Sequence, residues 1–595
     1  MSTRPSIRER AAWAGLVFVA LVLRLAALGH RAMSHDESLH ALYSHYLANG
    51  LNYSHDPMMH GPLLFHLNGL LLALVPATDF VSRLVPALLG VGCVALLFLY
   101  RRWLGPRGAW SAAALVAVEP ALLFYSRYMR NDIYIAFFTL LMVWAIFRYR
   151  EERRPAHLLW LTAGLALSFV CKEVCFIHGA VLGSACVGFA ALDAFRSRAA
   201  FLRNWMQHPF TECAALMLTI ALPFAAAVVL PYLDWDPLDN RTLAGQARIG
   251  GMALVFFGIG SAAAIPYFHH RDRLRTWGAA LGIFWTVQLL FYTTLFTNVR
   301  HGLTSGLAGS LGYWLDQHDV QRGNDDPFFY VTLVVLYAPV LLVGLAWGLR
   351  NIRHRPEAFL LWWTLGNLAV YSWAGERMPW LVLHITLPLC LLTGAALPRI
   401  FDARPRGILK GALQTAVALG LLQLTVNSLR ANGPNAEGAQ EPLVYAHTGP
   451  KFKTAMDLIE AHLAAHPGTR VRIHKDFSWP TAWYTRDIDA GYGPIKAGEE
   501  KPDTSAILVP PHRKDAFLSE GWVPRLEVDM TTWPRPHYHR FTRENLINVF
   551  TRPDVRKKLI RYVLFRDQPP FRPGEYPGPN RFLLMTRNPP PPSEE

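Results

Sequence analysis

Long apolar runs recur from near the start of this chain to about position 430, and they decide what it can fold into. Several exceed the roughly 18 residues a helix needs to cross a hydrocarbon layer. The runs are continuous rather than alternating, which argues against a membrane β-barrel. The fold class read from them is an α-helical polytopic membrane protein. Hydrophobic residues make up 52% of the 595, yet the net charge is +15. That excess needs no nucleic acid, because loops held on the cytoplasmic side of a membrane collect Lys and Arg.

About thirteen spans are expected. They lie near 11–29, 81–100, 109–124, 132–148, 157–171, 175–195, 211–232, 249–267, 276–297, 328–349, 357–373, 380–397 and 409–427. Gly61 to Val75 is also apolar, but it reads as an interfacial helix within a first outer loop at 30–80. Counting it as a span would put Arg101, Arg102 and Arg107 outside and invert every later loop. With that choice the clustered cations fall on one side throughout, for example Arg148, Arg150, Arg153 and Arg154, or Arg271, Arg273 and Arg275, and the outer loops carry only scattered ones such as Arg127, Lys172 and Arg377. The N-terminus is then cytoplasmic. An odd number of spans carries the C-terminal region outside. Arg4, Arg8 and Arg10 precede an apolar run as in a signal peptide, but no small-residue cleavage site follows, so an uncleaved first span is expected.

From about Gly433 the apolar runs shorten, and Pro, Trp, Tyr and charged residues rise. A helix over Phe452–Ala465, a strand over Val471–Phe477, a helical start at Pro480–Arg486 and a strand at Ala506–Pro510 predict a small α/β domain. The expected organisation is a transmembrane domain over 1–430, an extracytoplasmic α/β domain over 431–588, and a Pro-rich disordered tail over 589–595. All six cysteines (Cys93, Cys171, Cys175, Cys186, Cys213, Cys390) fall in apolar segments, where they read as small buried residues rather than as disulfides or metal ligands.

The unusual polar clusters all fall on the outer side of this topology. The first is the Met33–Pro62 loop, with Asp36, Glu37 and five histidines, His35, His40, His45, His55 and His60. Leu39, Leu42, Tyr46 and Leu47 follow the acids at helical spacing, which puts Asp36 and Glu37 in the first turn of a surface helix. Three roles fit acids there: favouring the positive helix N-terminus, acting as a general base on an acceptor hydroxyl, or holding a divalent metal with His40 one turn on. The second is the turn FYSRYMRND, where Arg127 and Arg130 read as interfacial arginines and Asp132 as a cap or a site acid. Lys172 and Glu173 form the third. The fourth is the long loop at 298–327, in which Trp314, Gln317, His318 and Arg322 recur at three to four residues as on a short surface helix over Tyr313–Gly323. The fifth, GERMPWLVLH, holds Glu376, Arg377 and His384; an arginine there suits a bidentate grip on a phosphate.

In this order, the acidic pair, HGPL at His60–Leu63, a span opening SRLVPALLG and a short loop ending in Asp resemble the GT-C superfamily of membrane glycosyltransferases. Within that superfamily they resemble the dolichyl-phosphate-mannose mannosyltransferase group of family 39, which includes the lipid A aminoarabinose transferases. YWLDQHDVQRG, GERMPWLVLHITLPL and WPTAWYTRD look like signatures of a bacterial and archaeal branch named for a flippase-activity-associated protein. The resemblance implies an inverting transferase in the cytoplasmic (inner) membrane. It would take a sugar from a polyprenyl-phosphate lipid and pass it to a glycan, lipid or protein acceptor. By position, Asp36 matches the catalytic aspartate, with Glu37 beside it, and Asp132 matches the second-loop acid. HGPL stands where aminoarabinose transferases have Lys-Pro-Pro-Leu; the lysine is absent, and Arg377 is the expected replacement at the donor phosphate. Catalytic candidates are therefore Asp36, Glu37 and Asp132. Substrate-binding candidates are His60, Arg127, Lys172, Trp314, Gln317, His318, Arg322, Glu376, Arg377 and His384. No cofactor is required, since the leaving lipid phosphate is already charged, although a divalent metal near Asp36 and His40 fits the residues. A transporter would place paired charges mid-span, which this chain does not do. A non-catalytic lipid-binding scaffold, or a flippase-associated component of envelope glycan assembly, is the competing reading.

Overall fold

The structure is a computed structural model. It describes residues 5–51, 53–195, 201–268, 271–317, 326–402, 407–433, 436–438, 441–499, 502–530, 543–566 and 580–588. The expected tail at 589–595 lies outside the described residues, as do His318 and Arg322.

The chain is helical as far as Ala431. Every expected span falls on a helix or on two helices meeting at a bend. Among the described residues, 7 helices are long and apolar enough to cross a membrane, or up to 9 if each bent pair is one span. Three of the expected spans lie on helices with charged first turns, Ile7–Leu25, Arg271–Tyr292 and Arg355–Trp373. Another lies on the 15-residue helix Pro155–Phe169.

Both bends have a proline at the break. Pro106–Val118 meets Pro120–Ser126 at 59°, and Phe329–Tyr337 meets Pro339–Arg350 at 105°. Proline cannot donate to the helical ladder, so the ladder is interrupted there. Glu119 turns the first interruption into a cap: Leu122 donates its backbone N–H to Glu119 Oε2 at 2.7 Å.

The helix Pro379–Phe401 is the axis of the bundle, its apolar stretch wholly buried. It crosses Pro106–Val118 so closely that a Cβ on Gly394 would collide with Ala112. The Gly61–Val75 stretch forms the helix Leu63–Leu74, of 12 residues. At 1.5 Å per residue that is about 18 Å, too short to cross a bilayer.

The C-terminal unit is the expected α/β domain. Strands β1 (Arg470–His474), β2 (Ala490–Gly493), β3 (Thr504–Val509), β4 (Val523–Met530) and β5 (Asn580–Thr586) form one sheet in the order β2-β1-β3-β5-β4. β1 is parallel to β2 and β3, while β5 is antiparallel to β3 and β4. The central strand β3 is buried on both faces. Ala506 and Leu508 meet the helix Lys451–Ala465 through Phe452 and Ile459; Ile507 and Val509 meet Phe517 and Trp522. Period-two alternation thus serves two apolar layers. The expected strand over 471–477 ends at His474, and a 3-10 turn takes Lys475–Phe477.

This unit sits directly on the first loop. Asp79, at the start of the helix Asp79–Leu96, accepts hydrogen bonds from Trp483 Nε1 at 2.9 Å and the Tyr484 hydroxyl at 2.7 Å, and pairs with Lys453 Nζ at 2.7 Å. Ala32 packs in the core of the α/β domain. The strap at 441–448 runs back over the same loop, where the Ala446 carbonyl accepts the His35 N–H at 3.0 Å.

Candidate functional site

The site is built from three turns that meet at one end of the bundle. The first is the start of the helix His35–Ala48, set by a capping box. Ser34 accepts the Glu37 N–H on its side chain, and the Glu37 carboxylate accepts the Ser34 N–H. This geometry aims Asp36 away from the cap. The second is the turn 127–131. The third is the turn 170–174, against which the HGPL segment docks by backbone: Gly61 N–H donates to the Cys171 carbonyl at 3.1 Å and Leu63 N–H to the Val170 carbonyl at 2.8 Å. Only glycine fits at 61, because a Cβ would collide with the Val170 carbonyl.

Arg130 joins the turns. Its Nη1 pairs with Asp36 Oδ2, and its Nε lies 3.3 Å from Asp132 Oδ2. Lys172 Nζ donates to both oxygens of Asp132, at 2.8 and 3.0 Å. His384 Nε2 reaches Asp132 Oδ1 at 3.4 Å. Trp380 lies under the two cations, its ring centre 3.4 Å from the Arg130 guanidinium carbon and 5.8 Å from Lys172 Nζ. The result is a buried alternation of two carboxylates and two cations over an aromatic face.

The two aspartates differ in access: the Asp36 side chain is 20% exposed and the Asp132 side chain 0%. Burial alone would raise the Asp36 carboxyl, but Arg130, with His35, outweighs it and holds the group well below the usual carboxylate range. Burial likewise opposes the charge on Arg130, and Asp36 and Asp132 reverse the effect, keeping it firmly cationic. For Lys172 burial wins and lowers the ammonium despite Asp132. The charge of Glu376 acts on both cations.

Glu37 is wholly occupied. Arg83 grips it with Nε on Oε1 at 2.7 Å and Nη2 on Oε2 at 2.9 Å, Arg31 adds a contact at 3.1 Å, and the Met129 N–H donates at 3.1 Å. Burial pushes this carboxyl up, but Arg31 and Arg83 hold it at about 2. His60 stacks on Trp314 with ring centres 4.5 Å apart, and its Nδ1 lies 2.8 Å from Glu173 Oε2. Burial raises the Glu173 carboxyl to about 8 and holds the His60 imidazole well below its usual value. Both shifts favour the uncharged forms of the pair. His40 donates Nδ1–H to the Met129 carbonyl at 3.0 Å, which leaves its Nε2 as an acceptor. Among the described residues, no three His, Cys, Asp or Glu side chains are arranged to hold a metal.

Of the sequence candidates, the structure brings together Asp36, Asp132, Lys172 and His384 around Arg130, with His60 and Trp314 on the adjoining turn. Arg127 lies apart, donating to the Leu23 and Arg24 carbonyls at 2.7 and 3.1 Å. Arg377 donates its Nε–H to the Ser372 carbonyl at 2.9 Å. Trp314 and Gln317 lie at the end of a helix, Ser310–Asp316, that starts earlier than expected and packs Trp314 inward, its Nε1 donating to the Pro57 carbonyl at 3.1 Å. Sequence reasoning took Arg130 for an interfacial arginine and passed over Arg83 and Trp380. The signal for Arg130 was its place two residues from Asp132; Trp380 lay inside GERMPW. A buried arginine in a span, as Arg83 is, asks for an acid partner.

Residues 59–227, which include His60, Asp132 and Lys172, match the family described as dolichyl-phosphate-mannose-protein mannosyltransferase. No curated protein matches the chain. Among solved structures, the apo oligosaccharyltransferase of Archaeoglobus fulgidus is 12% identical at a TM-score of 0.51, over 97% of this chain and 88% of that one. The same enzyme tethered to an acceptor peptide with the NVT sequon gives 0.50 at 12% identity over the same shares. ArnT of Cupriavidus metallidurans bound to undecaprenyl phosphate is 14% identical at 0.45, over 85% of this chain and 94% of that one. At such identities the likeness is one of fold. The matched family and the oligosaccharyltransferase belong to the GT-C superfamily, and this chain has the GT-C fold.

Proposed function

We propose that this protein is a glycosyltransferase. It moves a sugar from a polyprenyl-phosphate lipid to an acceptor hydroxyl at the outer face of the cytoplasmic membrane, with Asp36 as general base. The observation that carries the reading is the asymmetry of the acids. Of the two aspartates that Arg130 ties together, Asp36 alone has an open edge, and its arginine is one that a phosphate would also bind. Asp132, held by Lys172, Arg130 and His384, positions the cations. Glu37, held by Arg83 and Arg31, positions Asp36.

The chemistry is an inverting displacement. The acceptor oxygen forms a bond to the anomeric carbon as the bond from that carbon to the phosphate oxygen breaks. The hydroxyl proton passes to Asp36, and the electron pair leaves on the lipid phosphate, where Arg130 and Lys172 stabilise it. While Arg130 pairs with Asp36, the carboxylate is a poor base. A donor phosphate that draws Arg130 away releases it, so base strength is coupled to donor binding. The charge on Arg130 and Lys172 supplies what a metal would otherwise supply to the leaving group. EDTA is therefore expected to leave transfer unchanged, and a metal requirement restored by one divalent ion would overturn this arrangement.

The test is sugar transfer in vesicles from a radiolabelled polyprenyl-phosphate sugar pool. Asp36→Asn is expected to lower transfer by about 10²- to 10⁴-fold with membrane insertion and lipid binding unchanged, the range a general base contributes. Absence of transfer by the unaltered protein from any donor, with lipid bound equally by both forms, would favour the scaffold reading.

A further inference from the structure

The helices Arg543–Thr551 and Pro553–Phe565 contribute nothing to the site, and their chemistry is unlike the rest of the C-terminal unit. The second helix is held at its far end. Tyr562 is buried, and Arg566 just beyond it lies 3.5 Å from Glu441, with its guanidinium carbon 4.7 Å from the Tyr337 ring centre. Tyr337 ends the helix Phe329–Tyr337. The Leu336 and Tyr337 carbonyls accept Asn427 Nδ2 near the end of the helix Ile408–Ala431, where the chain leaves the bundle. The foot of the hairpin therefore rests on the spanning part.

At that foot Ile560, Leu564 and Phe565 are exposed, Phe565 by 64%, and on the first helix Ile547 and Phe550 are exposed, Phe550 by 79%. Beside them stand the exposed cations Arg552, Arg556, Lys557, Lys558 and Arg561. The one carboxylate of the second helix, Asp554, is taken by Arg552 at 2.9 Å. Single exposed apolar residues are ordinary. Five on one hairpin, interleaved with five cations and footed on a transmembrane bundle, form an amphipathic surface of the interfacial kind.

We propose that this hairpin lies on the membrane surface. Ile560, Leu564 and Phe565 enter the boundary between head groups and acyl chains, and the cations bind anionic lipid phosphates, which fixes the α/β domain over the site. The partner is an anionic bilayer, chosen over a protein because Ile560, Leu564 and Phe565 lie at the end held against the bundle, while Arg552, Arg556, Lys557 and Lys558 precede them along the chain, further from that end.

The full-length protein in single-copy nanodiscs tests this. A cysteine carrying an environment-sensitive fluorophore is placed at Leu564 or Phe565, and at exposed Ser519 as control; the six native cysteines are all buried. In phosphatidylglycerol discs the first two labels are expected to shift to the blue and to be quenched by brominated lipid several-fold more than the control. In phosphatidylcholine discs, or with Lys557→Glu and Lys558→Glu, quenching should fall toward the control. Quenching equal to the control in both lipids overturns the proposal. So does shielding that appears only when a disc holds two copies, which would assign the surface to a protein contact.

Discussion

Asp36 and Asp132 share one arginine, and what separates them is what else holds each of them. Removing a partner from a buried carboxylate costs more than the pair contributes, because an uncompensated charge stays behind. Arg83 and Glu37 test this most cleanly, as neither side chain is exposed. Arg83→Met is expected to destabilise the protein by about 3–5 kcal/mol, read as a lower unfolding temperature in detergent. Arg83→Lys should rescue little of it, since a lysine cannot supply the two-pronged contact at 2.7 and 2.9 Å. Rescue by lysine would show that charge alone matters there. Glu173 gives a pH signature of opposite sign to an ordinary ion-paired acid. Its folded value of about 8 stands above the ordinary 4.5, so the fold favours the protonated form. The penalty for ionising it is absent below 4.5, grows as pH rises, and is complete above 8. Glu173→Gln should therefore gain stability relative to the unaltered protein between pH 5 and 9, and a difference flat across that window would place the proton elsewhere.

At the scale of elements, the site depends on one turn lying flat against another. Gly61 and Leu63 spend their N–H groups on the carbonyls of Cys171 and Val170, and the contact carries His60 to Glu173 and Trp314. Gly61→Ala forces the turns apart. It is expected to cost about 1–3 kcal/mol, as overpacking does, and to lower transfer more than it lowers donor binding. Unchanged stability would mean that the turn yields without strain. Elements of this kind were readable in part. Helices carry their own periodicity, so every expected span is helical, and the polar turns stood out against apolar surroundings. The two bends were not anticipated, although Pro120 and Pro339 mark them. The Arg130 ties to Asp36 and Asp132, and the stacking of Trp314 on His60, join residues that only folding brings together. The bond from Arg377 Nε–H to the Ser372 carbonyl is likewise a contact that the sequence does not show.

For the whole molecule, the question is how a small α/β unit stays registered over a site built by the bundle. Asp79 is the fixed point, receiving Trp483, Tyr484 and Lys453 from two helices of that unit. Tyr484 also accepts the Met33 N–H at 2.8 Å, three residues before Asp36, so the same contact steadies the loop that carries the proposed base. Asp79→Ala would leave three donors without their acceptor, two of them on side chains packed away from water, and a cost of order 3 kcal/mol is expected at this interface. The α/β core itself, from Phe452 to Leu584, does not use Asp79 and should hold. Hydrogen exchange should therefore quicken over 30–36 and 478–488 while β3 stays protected. Transfer should fall through the position of Asp36 rather than through loss of the donor. If β3 lost protection together with the interface, the unit would have no stability of its own, and docking and folding would be one event.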